Sequence, residues 1–542
     1  MMNTVYQRFI ATATQAPGDD FLFVDAVTAD AYGIAAGPVS WVAAAAEVER
    51  LRAAYAQAGY GHGQRIGLLL ENRSAFLFHW FALNGLGVSV VPINAEMRSA
   101  ELAYLVGHSE ICLAVTLPGR EGDLRAAAAA AGVRCEVATL DAPIPAFPRR
   151  GKEQEVGALA DAKTECALLY TSGTTGRPKG CSLSNEYFLR AGQWYADLDG
   201  VCSVRPGRER IITPLPLNHV NAMAFSAMVV LTAGGCLVQL DRFHPRSWWQ
   251  SVRDSRATIV HYLGVMPAML LAAPAGGADR EHAVRWAFGA GVDRKNHGAF
   301  EERFGFPLVE AWAMTETGAA ACVMANHEPR HVGTSCFGKP EAFVEVRLVD
   351  EQGDEVPPGV PGELLVRSAG ADPRRYFFSG YLKDEAATAE VWKGGWFRTG
   401  DMVRRDSEGL LYFVDRKKNV IRRSGENISA VEVESVLNQH PAVKTSAVAA
   451  TPDELRGDEV LACVIARDPV PPEQRAVIAQ GIVEHALGQL AYYKAPGYVA
   501  FVDELPLTTS QKIQRGELRE LARTLPGHAN CIDLRAMKKR QI

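Results

Sequence analysis

The sequence predicts an α/β protein with a large amino-terminal domain, made of two α/β sheet subdomains and a small β-barrel-like subdomain, and a smaller α+β carboxyl-terminal domain. Short apolar segments alternate with helical patterns from Trp41 to Thr116 and again from Ile211 to Trp312. This alternation is typical of parallel sheets covered by helices on both faces. From Phe343 to Tyr412, short alternating strands are separated by Gly and Pro turns, which indicates the small antiparallel subdomain.

The elements of the first sheet subdomain follow from this periodicity. In chain order they are helix Ala45–Ala56, strand Ile66–Leu70, helix Ala75–Leu86, strand Val88–Ile93, an apolar segment at Glu101–Val106, strand Cys112–Thr116 and helix Arg125–Gly132. The segment Asp141–Glu155 is rich in Pro and charged residues, so we expect a surface connection there.

The second sheet subdomain and the antiparallel subdomain are predicted in the same way. The helices and strands of the former lie at Tyr187–Leu198, Ile211–Thr213, Cys236–Leu240, Pro245–Asp254, Thr258–Tyr262, Pro267–Ala272, Trp286–Gly289 and Leu308–Trp312. The antiparallel strands lie at Val344–Val349, Gly362–Val366 and Gly409–Phe413. Roughly a hundred residues follow Arg416–Asn419, about the size of one small domain. We therefore place the domain boundary there, between residues 1–416 and 417–542.

Composition and charge argue against several classes of protein. With 48% hydrophobic and 22% charged residues, the chain of 542 residues has a globular composition. The net charge of −5 argues against a dedicated nucleic-acid binder, and the basic end at Lys538–Arg540 is expected to be a solvated tail. The ten cysteines include no C-x-x-C pair, which predicts reduced thiols rather than a zinc site or a disulfide framework.

The sequence predicts neither a targeting segment nor a membrane span. The amino-terminal stretch lacks a long apolar core, and Gly234 and Gly235 interrupt the most apolar later run, Ala224–Leu240. We therefore expect a cytoplasmic protein.

The segment Leu168–Asn185 has the composition of a phosphate-binding loop. It reads LLYTSGTTGRPKGCSLSN, an apolar run that leads into glycines and small hydroxylated residues. Glycines let consecutive N–H groups turn toward an anion. The candidate phosphate-binding residues are Thr171, Ser172, Gly173, Thr174, Thr175, Gly176 and Lys179. A P-loop NTPase is not indicated, because Arg177 stands where a Walker A motif has its Lys. A flexible Gly-rich surface loop is the alternative.

Six further segments carry candidate chemistry. They are Gly289-Ala290-Gly291, EAWAMTETG at Glu310–Gly318, WFRTGD at Trp396–Asp401, DRKKNVI at Asp415–Ile421, RRSGENIS at Arg422–Ser429 and PLTTSQKI at Pro506–Ile513. Taken singly, each also fits a plain turn, an exposed basic loop or a surface lysine.

In this order, the segments resemble the motifs of the AMP-forming acyl-adenylate superfamily, which includes acyl-CoA synthetases, luciferases and nonribosomal adenylation domains. The resemblance spans about Phe21 to Leu518. Within the superfamily, three segments are most similar to crotonobetaine/carnitine-CoA ligases: Phe188–Trp194, Tyr412–Lys417 and Leu455–Glu459. It implies an acid–CoA ligase that uses ATP, Mg²⁺ and coenzyme A. Such an enzyme forms an acyl-adenylate with release of pyrophosphate, and then an acyl-CoA thioester with release of AMP.

The resemblance also implies a role for each candidate residue. Lys512 would be the catalytic lysine of adenylation, with Thr315 on the α-phosphate and Glu316 as a ligand of Mg²⁺, a hard ion that prefers oxygen. The other nucleotide contacts would be Gly289, Ala290, Gly291, Glu310, Ala311, Trp312 (stacked on adenine), Asp401 and Arg416 (both on ribose). The acid pocket would contain His219, Asn221, Trp194 and Met314, the CoA passage Ser424, Gly425 and Glu426, and the hinge of a mobile carboxyl-terminal lid Lys418.

Three positions depart from the superfamily pattern: Ala313, Ser424 and Gln511 stand where Gly is usual. These departures leave open a catalytically silent AMP-binding regulator, and the shared first half-reaction leaves open an adenylation enzyme that loads a carrier protein. The acid stays open among carnitine-like, aromatic, steroid-side-chain and medium-chain compounds, because Trp194 and Tyr195 fit either a trimethylammonium pocket or the core. The predicted partners are an acid and CoA, without nucleic acid, and a homodimer is left open.

Overall fold

The computed structural model describes residues 3–147, 159–171, 177–292, 294–350, 352–416, 420–506 and 513–539. The chain divides into two compact units. The first consists of Met1–Ala95, Val106–Leu169 and Gly180–Asp415, and the second of Glu96–Leu105, Tyr170–Lys179 and Arg416–Ile542. The predicted fold class is confirmed, since helices and strands are mixed in a large amino-terminal part and a smaller carboxyl-terminal part.

The described helices and strands are numbered in chain order. The helices are α1 (Val5–Gln15), α2 (Ala26–Tyr32), α3 (Trp41–Ala58), α4 (Ser74–Asn84), α5 (Ser99–Ser109), α6 (Glu121–Ala131), α7 (Asn185–Ala196), α8 (Ala227–Ala233), α9 (Trp248–Asp254), α10 (Val265–Leu271), α11 (Arg294–Phe304), α12 (Glu385–Val391), α13 (Ala430–Leu437), α14 (Arg475–Gln489) and α15 (Arg515–Thr524). The strands are β1 (Asp20–Val24), β2 (Gly37–Ser40), β3 (Arg65–Leu69), β4 (Ser89–Pro92), β5 (Leu113–Thr116), β6 (Glu136–Thr139), β7 (Glu165–Thr171), β8 (Lys179–Ser184), β9 (Arg210–Thr213), β10 (Cys236–Gln239), β11 (Ile259–Leu263), β12 (Trp286–Ala290), β13 (Leu308–Trp312), β14 (Val323–Met324), β15 (Cys336–Gly338), β16 (Val344–Val349), β17 (Gly362–Ser368), β18 (Gly380–Tyr381), β19 (Trp392–Lys393), β20 (Trp396–Arg405), β21 (Leu411–Arg416), β22 (Val420–Arg423), β23 (Glu426–Ser429), β24 (Val443–Asp453), β25 (Gly457–Ala466), β26 (Tyr498–Phe501) and β27 (Cys531–Asp533).

Helix α3 shows how residue types set the ends of an element. Ser40 caps its amino end by accepting a hydrogen bond from Ala43 N at 3.3 Å. Gly59 ends the helix with a left-handed φ of 92°, which glycine adopts without steric cost. Between these ends, the buried side chains from Trp41 to Tyr55 recur at helical spacing and form one face.

The first α/β sheet has the strand order β18-β8-β7-β4-β3-β5-β6 within the described ranges. Strands β3 to β7 pair in parallel, and every residue of β4 and β5 is buried. Parallel strands covered on both faces have such continuous apolar runs, so the prediction from the sequence is confirmed here.

The second α/β sheet has the order β14-β13-β12-β11-β9-β10-β1-β2, as far as the chain is described. Strands β9 to β13 pair in parallel, as predicted. Strand β1 and helix α11 are absent from the prediction. Strand β1 pairs with β10 through Leu22 and Leu237, a contact too distant in sequence for local periodicity to reveal. Helix α11 has the almost wholly polar sequence RKNHGAFEERF, which gives little apolar periodicity.

The third sheet of the first unit is antiparallel, with the order β15-β21-β20-β17-β16 and β19 paired to β20 in the described residues. This agrees with the predicted antiparallel subdomain. The motif Trp396–Asp401 lies inside strand β20, so the alternative of a charged surface turn does not apply.

The second unit has its own sheet, with the order β23-β22-β25-β26-β27 and β24 paired to β25 among the residues described. Helices α13, α14 and α15 belong to this unit. Its cores are separate from that of the first unit and include the fully buried side chains of Val433, Ile482 and Leu518. Strand β27 adds a carboxyl-terminal segment to the sheet through antiparallel pairing with β26.

The predicted solvated tail is wrong for Lys538. Its side chain is buried and Nζ donates a hydrogen bond to Glu459 Oε1. Glu459 is fully buried and also accepts from Arg423 Nε at 2.7 Å. Burial lowers the pKa of Lys538 to about 7. The physical reason for the error is that a buried carboxylate requires cationic partners, and the sequence does not reveal which basic residues supply them.

Two further expectations concern thiols and membranes. The ten cysteines are all free, in agreement with the predicted absence of disulfides. Over the part of the chain that the structure describes, no helix has both the length and the apolar character needed to cross a bilayer.

Candidate active site

The candidate site lies at the carboxyl ends of the neighbouring parallel strands β11, β12 and β13. Their register aligns Tyr262, Gly289 and Glu310 across the sheet. Ligands of α/β proteins commonly bind in the crevice outside such strand ends. The structure thus brings together two of the predicted segments, Gly289–Gly291 and Glu310–Gly318.

The carboxyl ends of β11 and β12 and the turn after β12 require glycine because the backbone is closely packed there. A Cβ on Gly289 would lie 2.3 Å from Tyr262 O, and a Cβ on Gly264 would lie 1.7 Å from Gly291 O. Gly291 has a left-handed φ of 79°, which favours glycine. The fold of the turn therefore accounts for these glycines by itself, and Gly264 is a contributor that the sequence motifs do not reveal.

Glu310 holds this turn through its side chain. The buried carboxylate accepts hydrogen bonds from Tyr262 OH at 2.9 Å, from Val292 N at 3.1 Å and from Gly291 N at 3.0 Å. Burial raises the pKa of Glu310, while the three hydrogen bonds oppose that shift. A residue that the motif assigns to the nucleotide is thus engaged with the protein, and it acts on the site by positioning the turn.

Replacing Glu310 with Gln is expected to loosen the turn and weaken ATP binding. A Gln side chain has one acceptor oxygen, so at least one N–H of the turn would face an NH₂ group, at a cost of about 1–3 kcal/mol. We expect a lower melting temperature and a higher KM for ATP. The matched control is Glu302→Gln at an exposed glutamate of α11. Equal effects of the two variants would contradict the positioning role.

Trp312 and Asp401 come from two different sheets and form a buried hydrogen bond. The indole Nε1 of Trp312 donates to Asp401 Oδ2 at 2.9 Å, and the two residues are 6% and 2% exposed. Asp401 N donates to Thr399 Oγ1 at 3.0 Å, and Thr399 Oγ1 donates to Leu364 O at 2.7 Å. Strand β20 therefore holds the carboxylate beside the ring, and two residues predicted to contact the nucleoside lie together.

Two tyrosines fix the loop that carries Thr315 and Glu316. Tyr187 OH donates to Thr315 O at 2.8 Å, and Tyr381 OH donates to Glu316 Oε1 at 2.9 Å. Burial and the nearby charge of Glu316 raise the pKa of Tyr381, which keeps the hydroxyl protonated as a donor. Sequence motifs do not identify either tyrosine, because both lie on elements remote from the loop.

Glu316 is a suitable ligand for Mg²⁺. Its side chain is buried, Tyr381 occupies Oε1, and Oε2 accepts no hydrogen bond from a described residue. Within those residues, no three His, Cys, Asp or Glu side chains cluster as a metal cage. Mg²⁺ is usually bound by one or two carboxylates together with substrate phosphates and water. The donor set therefore fits a Mg²⁺ ion that arrives with a nucleotide.

Trp194, predicted for the acid pocket, belongs to an aromatic cluster of the core. It is 3% exposed, and its ring centroid lies 5.7 Å from that of Phe225 and 6.4 Å from that of Phe288. Its Nε1 donates to Glu341 Oε1 at 3.1 Å. From the sequence, Trp194 is open to two interpretations, a pocket residue or a core residue. Its surroundings are those of a core residue. Met314 is partly buried and contacts the same core.

His219 and Asn221, also predicted for the acid pocket, follow β9 and are partly exposed. Asn221 begins a π-helical turn that ends at Ser226, and its Oδ1 lies 2.8 Å from Nδ1 of His261. His261 is fully buried in β11 and is missing from the predicted site. The signal available in the sequence is a histidine inside an otherwise apolar strand.

The described ends of the phosphate-loop segment belong to the second unit. Thr171 ends β7 and Lys179 begins β8, while residues 172–176, with Ser172, Gly173, Thr174, Thr175 and Gly176, lie outside the described residues. Tyr104 contacts the carboxyl-terminal end of this segment. Its OH donates to Pro178 O at 2.9 Å, and the Arg177 guanidinium lies 5.5 Å from its ring centroid.

The predicted CoA loop forms the tip of the hairpin between β22 and β23. Ser424, which stands in a glycine position of the superfamily motif, has a left-handed φ of 50°, and Gly425 has a φ of 88°. Ser424 N donates to Arg456 O at 2.9 Å, and Glu426 begins β23. The backbone conformation typical of glycine is thus kept in spite of the serine. Arg416 ends β21, whereas Lys418 and Lys512 lie outside the described residues.

Ser424→Gly is expected to stabilise the second unit. A left-handed backbone conformation costs an L-residue roughly 1–2 kcal/mol, and the greater freedom of glycine in the unfolded chain offsets part of this gain. We expect a melting temperature above that of the parent. The control is Ser424→Ala, which keeps the strained backbone conformation. Its melting temperature should not exceed that of the parent. A Ser424→Gly variant that melts below the parent would contradict the strained conformation.

Two family models and several known proteins match the chain. Residues 13–382 match the model of the AMP-binding enzyme family, and residues 432–512 match the model of the AMP-binding enzyme C-terminal domain. Sulfoacetate–CoA ligase of Cupriavidus necator is 31% identical over 482 residues, which cover 88% of this chain and 91% of that protein. Crotonobetaine/carnitine–CoA ligase of Escherichia coli is 29% identical over 489 residues, with 87% and 91% covered.

A solved structure shows the same fold. A double mutant of o-succinylbenzoate CoA synthetase from Bacillus subtilis has a TM-score of 0.80 at 24% identity, with 95% of this chain and 98% of that chain covered. The amino-terminal family model alone spans more than half of the chain, and it includes the glycine turn and the Trp312–Glu316 loop. The chain therefore belongs to the AMP-binding enzyme family, and it is an AMP-forming acid–thiol ligase.

Proposed function

We propose that the protein joins a carboxylic acid to coenzyme A in two steps. In the first step, the acid carboxylate attacks the α-phosphorus of ATP, and pyrophosphate leaves with the bonding electrons. In the second step, the CoA thiolate attacks the acyl carbonyl carbon of the resulting acyl-adenylate, and AMP leaves. One observation carries the proposal. The turn held by Glu310, the Trp312–Asp401 pair and Glu316 all lie at the carboxyl ends of β12 and β13.

Each of these groups has a role in the first step. The ring of Trp312 stacks on adenine, the carboxylate of Asp401 accepts hydrogen bonds from the ribose hydroxyls, and Thr315 binds the α-phosphate. Glu316 holds Mg²⁺, which when bound neutralises charge on the phosphates. Carboxylates are weak nucleophiles toward polyanionic ATP, so positioning and charge neutralisation are the main tasks of the protein. The cation of Lys512 completes this neutralisation.

The second step uses the hairpin tip of the carboxyl-terminal domain. Gly425 and its neighbours leave room for pantetheine. The two domains are residues 1–416 and 417–542, and Lys418 is the hinge between them. Rotation about this hinge presents Lys512 for adenylation and the hairpin tip for thioester formation, because the two steps need different groups over the acyl-adenylate. The free thiols fit a reducing compartment, so the proposed location of the protein is the cytoplasm.

The products formed from ATP test the proposal. The purified protein is incubated with Mg²⁺, ATP, CoA and a panel of carboxylic acids, and nucleotides and thioesters are separated by chromatography and mass spectrometry. We expect AMP, pyrophosphate and one acyl-CoA, each dependent on the acid. ADP with phosphate would contradict the proposal. An acyl-adenylate that reacts with a carrier protein but not with CoA would indicate a carrier-loading enzyme, and binding of AMP without turnover a regulator.

A further inference from the structure

His261 is the centre of a buried hydrogen-bond network next to the candidate acid site. Its Nε2 lies 2.8 Å from Tyr195 OH, and its Nδ1 lies 2.7 Å from Ser226 Oγ and 2.8 Å from Asn221 Oδ1. Burial lowers the pKa of His261 to about 3. The imidazole is therefore neutral near pH ~7 and carries a single N–H.

The buried hydroxyl of Tyr195 determines which nitrogen of His261 carries the proton. Tyr195 is fully buried, and within the described ranges His261 Nε2 is the acceptor available to its hydroxyl. If Nε2 were protonated, the tyrosine hydrogen would be buried without an acceptor and would bear its full desolvation penalty. Tyr195 therefore donates to Nε2, and the proton of His261 is on Nδ1.

This tautomer fixes the orientation of the Asn221 amide. Because Nδ1–H of His261 is a donor, the atom that faces it at 2.8 Å must be the amide oxygen. The NH₂ group of Asn221 consequently points away from His261, and it donates to no residue that the structure describes. Ser226 and Tyr195 are fully buried, whereas Asn221 is partly exposed. Asn221 is thus the member of the network that can meet a ligand.

The NH₂ group lies near the carboxyl ends of the strands that form the site. His261 is aligned with Phe288, one residue before Gly289 of the turn that Glu310 holds. Asn221 follows β9, which pairs in parallel with β11 and so ends at the same edge of the sheet. A substrate in this crevice would meet the amide nitrogen as a hydrogen-bond donor.

Aromatic rings pack against the histidine that orients this donor, and the ring centroid of Phe288 lies 5.1 Å from that of His261. Phe225, in the same π-helical turn as Asn221, and Phe288 are each 2% exposed, with ring centroids 5.5 Å apart. Among the described side chains, no charged group bonds to Asn221, Ser226 or His261. A second ionic group on a substrate that contacts this network would lose its hydration, and the described groups that bond to the network supply no counter-charge. The buried aromatic rings, in contact with one another, offer no open face to a quaternary ammonium group.

We propose that Asn221 selects acids that carry a neutral hydrogen-bond acceptor, such as a ketone or amide carbonyl, on an otherwise apolar chain. This inference rests on the proposed function and adds a substrate class to it. Asn221 is a specificity-determining residue, and His261, Tyr195 and Ser226 position its amide. Acids with a second carboxylate, a sulfonate or a trimethylammonium group are poor substrates.

Pairs of matched acids test this proposal with the unmodified protein. The value of kcat/KM for pyrophosphate release is measured with levulinate and its longer keto-acid homologues, each against the acid in which a methyl group replaces the ketone oxygen. We expect the keto acid to exceed its partner by about tenfold, the contribution of one neutral hydrogen bond to a buried group. Succinate, sulfoacetate and γ-butyrobetaine should fall below both members of the best pair.

Variants at the network make the test specific. Asn221→Leu removes the donor, and Asn221→Asp replaces it with an acceptor of the same size, so both should bring the ratio within a pair to about one or below it. Asn3→Leu, the same substitution at an exposed asparagine near the start of the chain, is the matched control and should keep the parental ratio. Melting temperatures of all variants check that they are folded.

The possible failures are distinguishable. Equal kcat/KM values within every acid pair, or a parental ratio in both Asn221 variants, would overturn the role of Asn221 and leave the two-step reaction intact. Efficient turnover of succinate, sulfoacetate or γ-butyrobetaine would overturn the neutral substrate class. Absence of pyrophosphate release with every acid would instead contradict the proposed function on which the inference rests.

Discussion

Lys512→Ala is expected to lose the first half-reaction and to retain the second. The variant lacks the cation that would stabilise charge developing at the α-phosphate, and loss of one such group lowers kcat by about a hundredfold or more. Supplied with pre-formed acyl-adenylate and CoA, it should still make acyl-CoA at close to the parental rate. The measurement is a single-turnover assay of each half-reaction, with pyrophosphate and acyl-CoA as the two products followed.

A second variant and a control make this prediction specific. Gly425→Leu crowds the proposed pantetheine passage and strains a residue with a φ of 88°, so it should release pyrophosphate once and then fail to form the thioester. Lys539→Ala, at an exposed lysine near the end of the chain, should affect neither half. If Lys512→Ala and Gly425→Leu lose the same half-reaction, the assignment of two separate groups to the two steps is wrong.

Asp401→Ala is expected to lower kcat/KM for ATP by roughly a hundredfold. Two ribose hydroxyls would lose a charged acceptor, and hydrogen bonds to charged groups contribute about 1.5–3 kcal/mol each. The variant also leaves Nε1 of Trp312 without its acceptor at 2.9 Å, so a lower melting temperature should accompany the loss. Initial rates of pyrophosphate release over a range of ATP concentrations provide the measurement.

Trp312→Phe separates the two effects of Asp401. This variant keeps an aromatic ring for adenine but removes the indole N–H that holds the carboxylate. We expect a smaller rise in KM for ATP, on the order of tenfold, from a less well-positioned Asp401. If Asp401→Ala turns over ATP as the parent does while its melting temperature falls, the carboxylate has only a structural role.

Much of the fold could be predicted because parallel strands have a recognisable composition. The buried strands β4 and β5 and the helix α3 lie where their apolar periodicity places them. Strand β1 could not be placed, because its pairing with β10 is a long-range contact. Lys538 shows the same limit for charge: its buried partner Glu459 lies on β25, far away in sequence, and the local sequence indicates only a basic tail.

The candidate site could be predicted in part, because motifs name residues but not what their side chains contact. The motif that contains Glu310 implies a nucleotide contact, whereas its carboxylate is bonded to the turn at Gly291 and Val292. Trp194 is an aromatic residue of the type that lines binding pockets, but its surroundings are those of a core residue. His261 belongs to no motif, and its importance depends on contacts with three residues remote in sequence.

The fate of the carboxylate oxygen tests the central claim, attack of the acid on the α-phosphorus of ATP, most directly. An acid that supports turnover is labelled in its carboxylate with the heavy isotope of oxygen and incubated with the protein, Mg²⁺, ATP and CoA. Attack at the α-phosphorus moves one labelled oxygen into AMP, so mass spectrometry should find AMP with a single label and unlabelled pyrophosphate. Label in phosphate together with ADP, or turnover to acyl-CoA with unlabelled AMP, would contradict the acyl-adenylate intermediate.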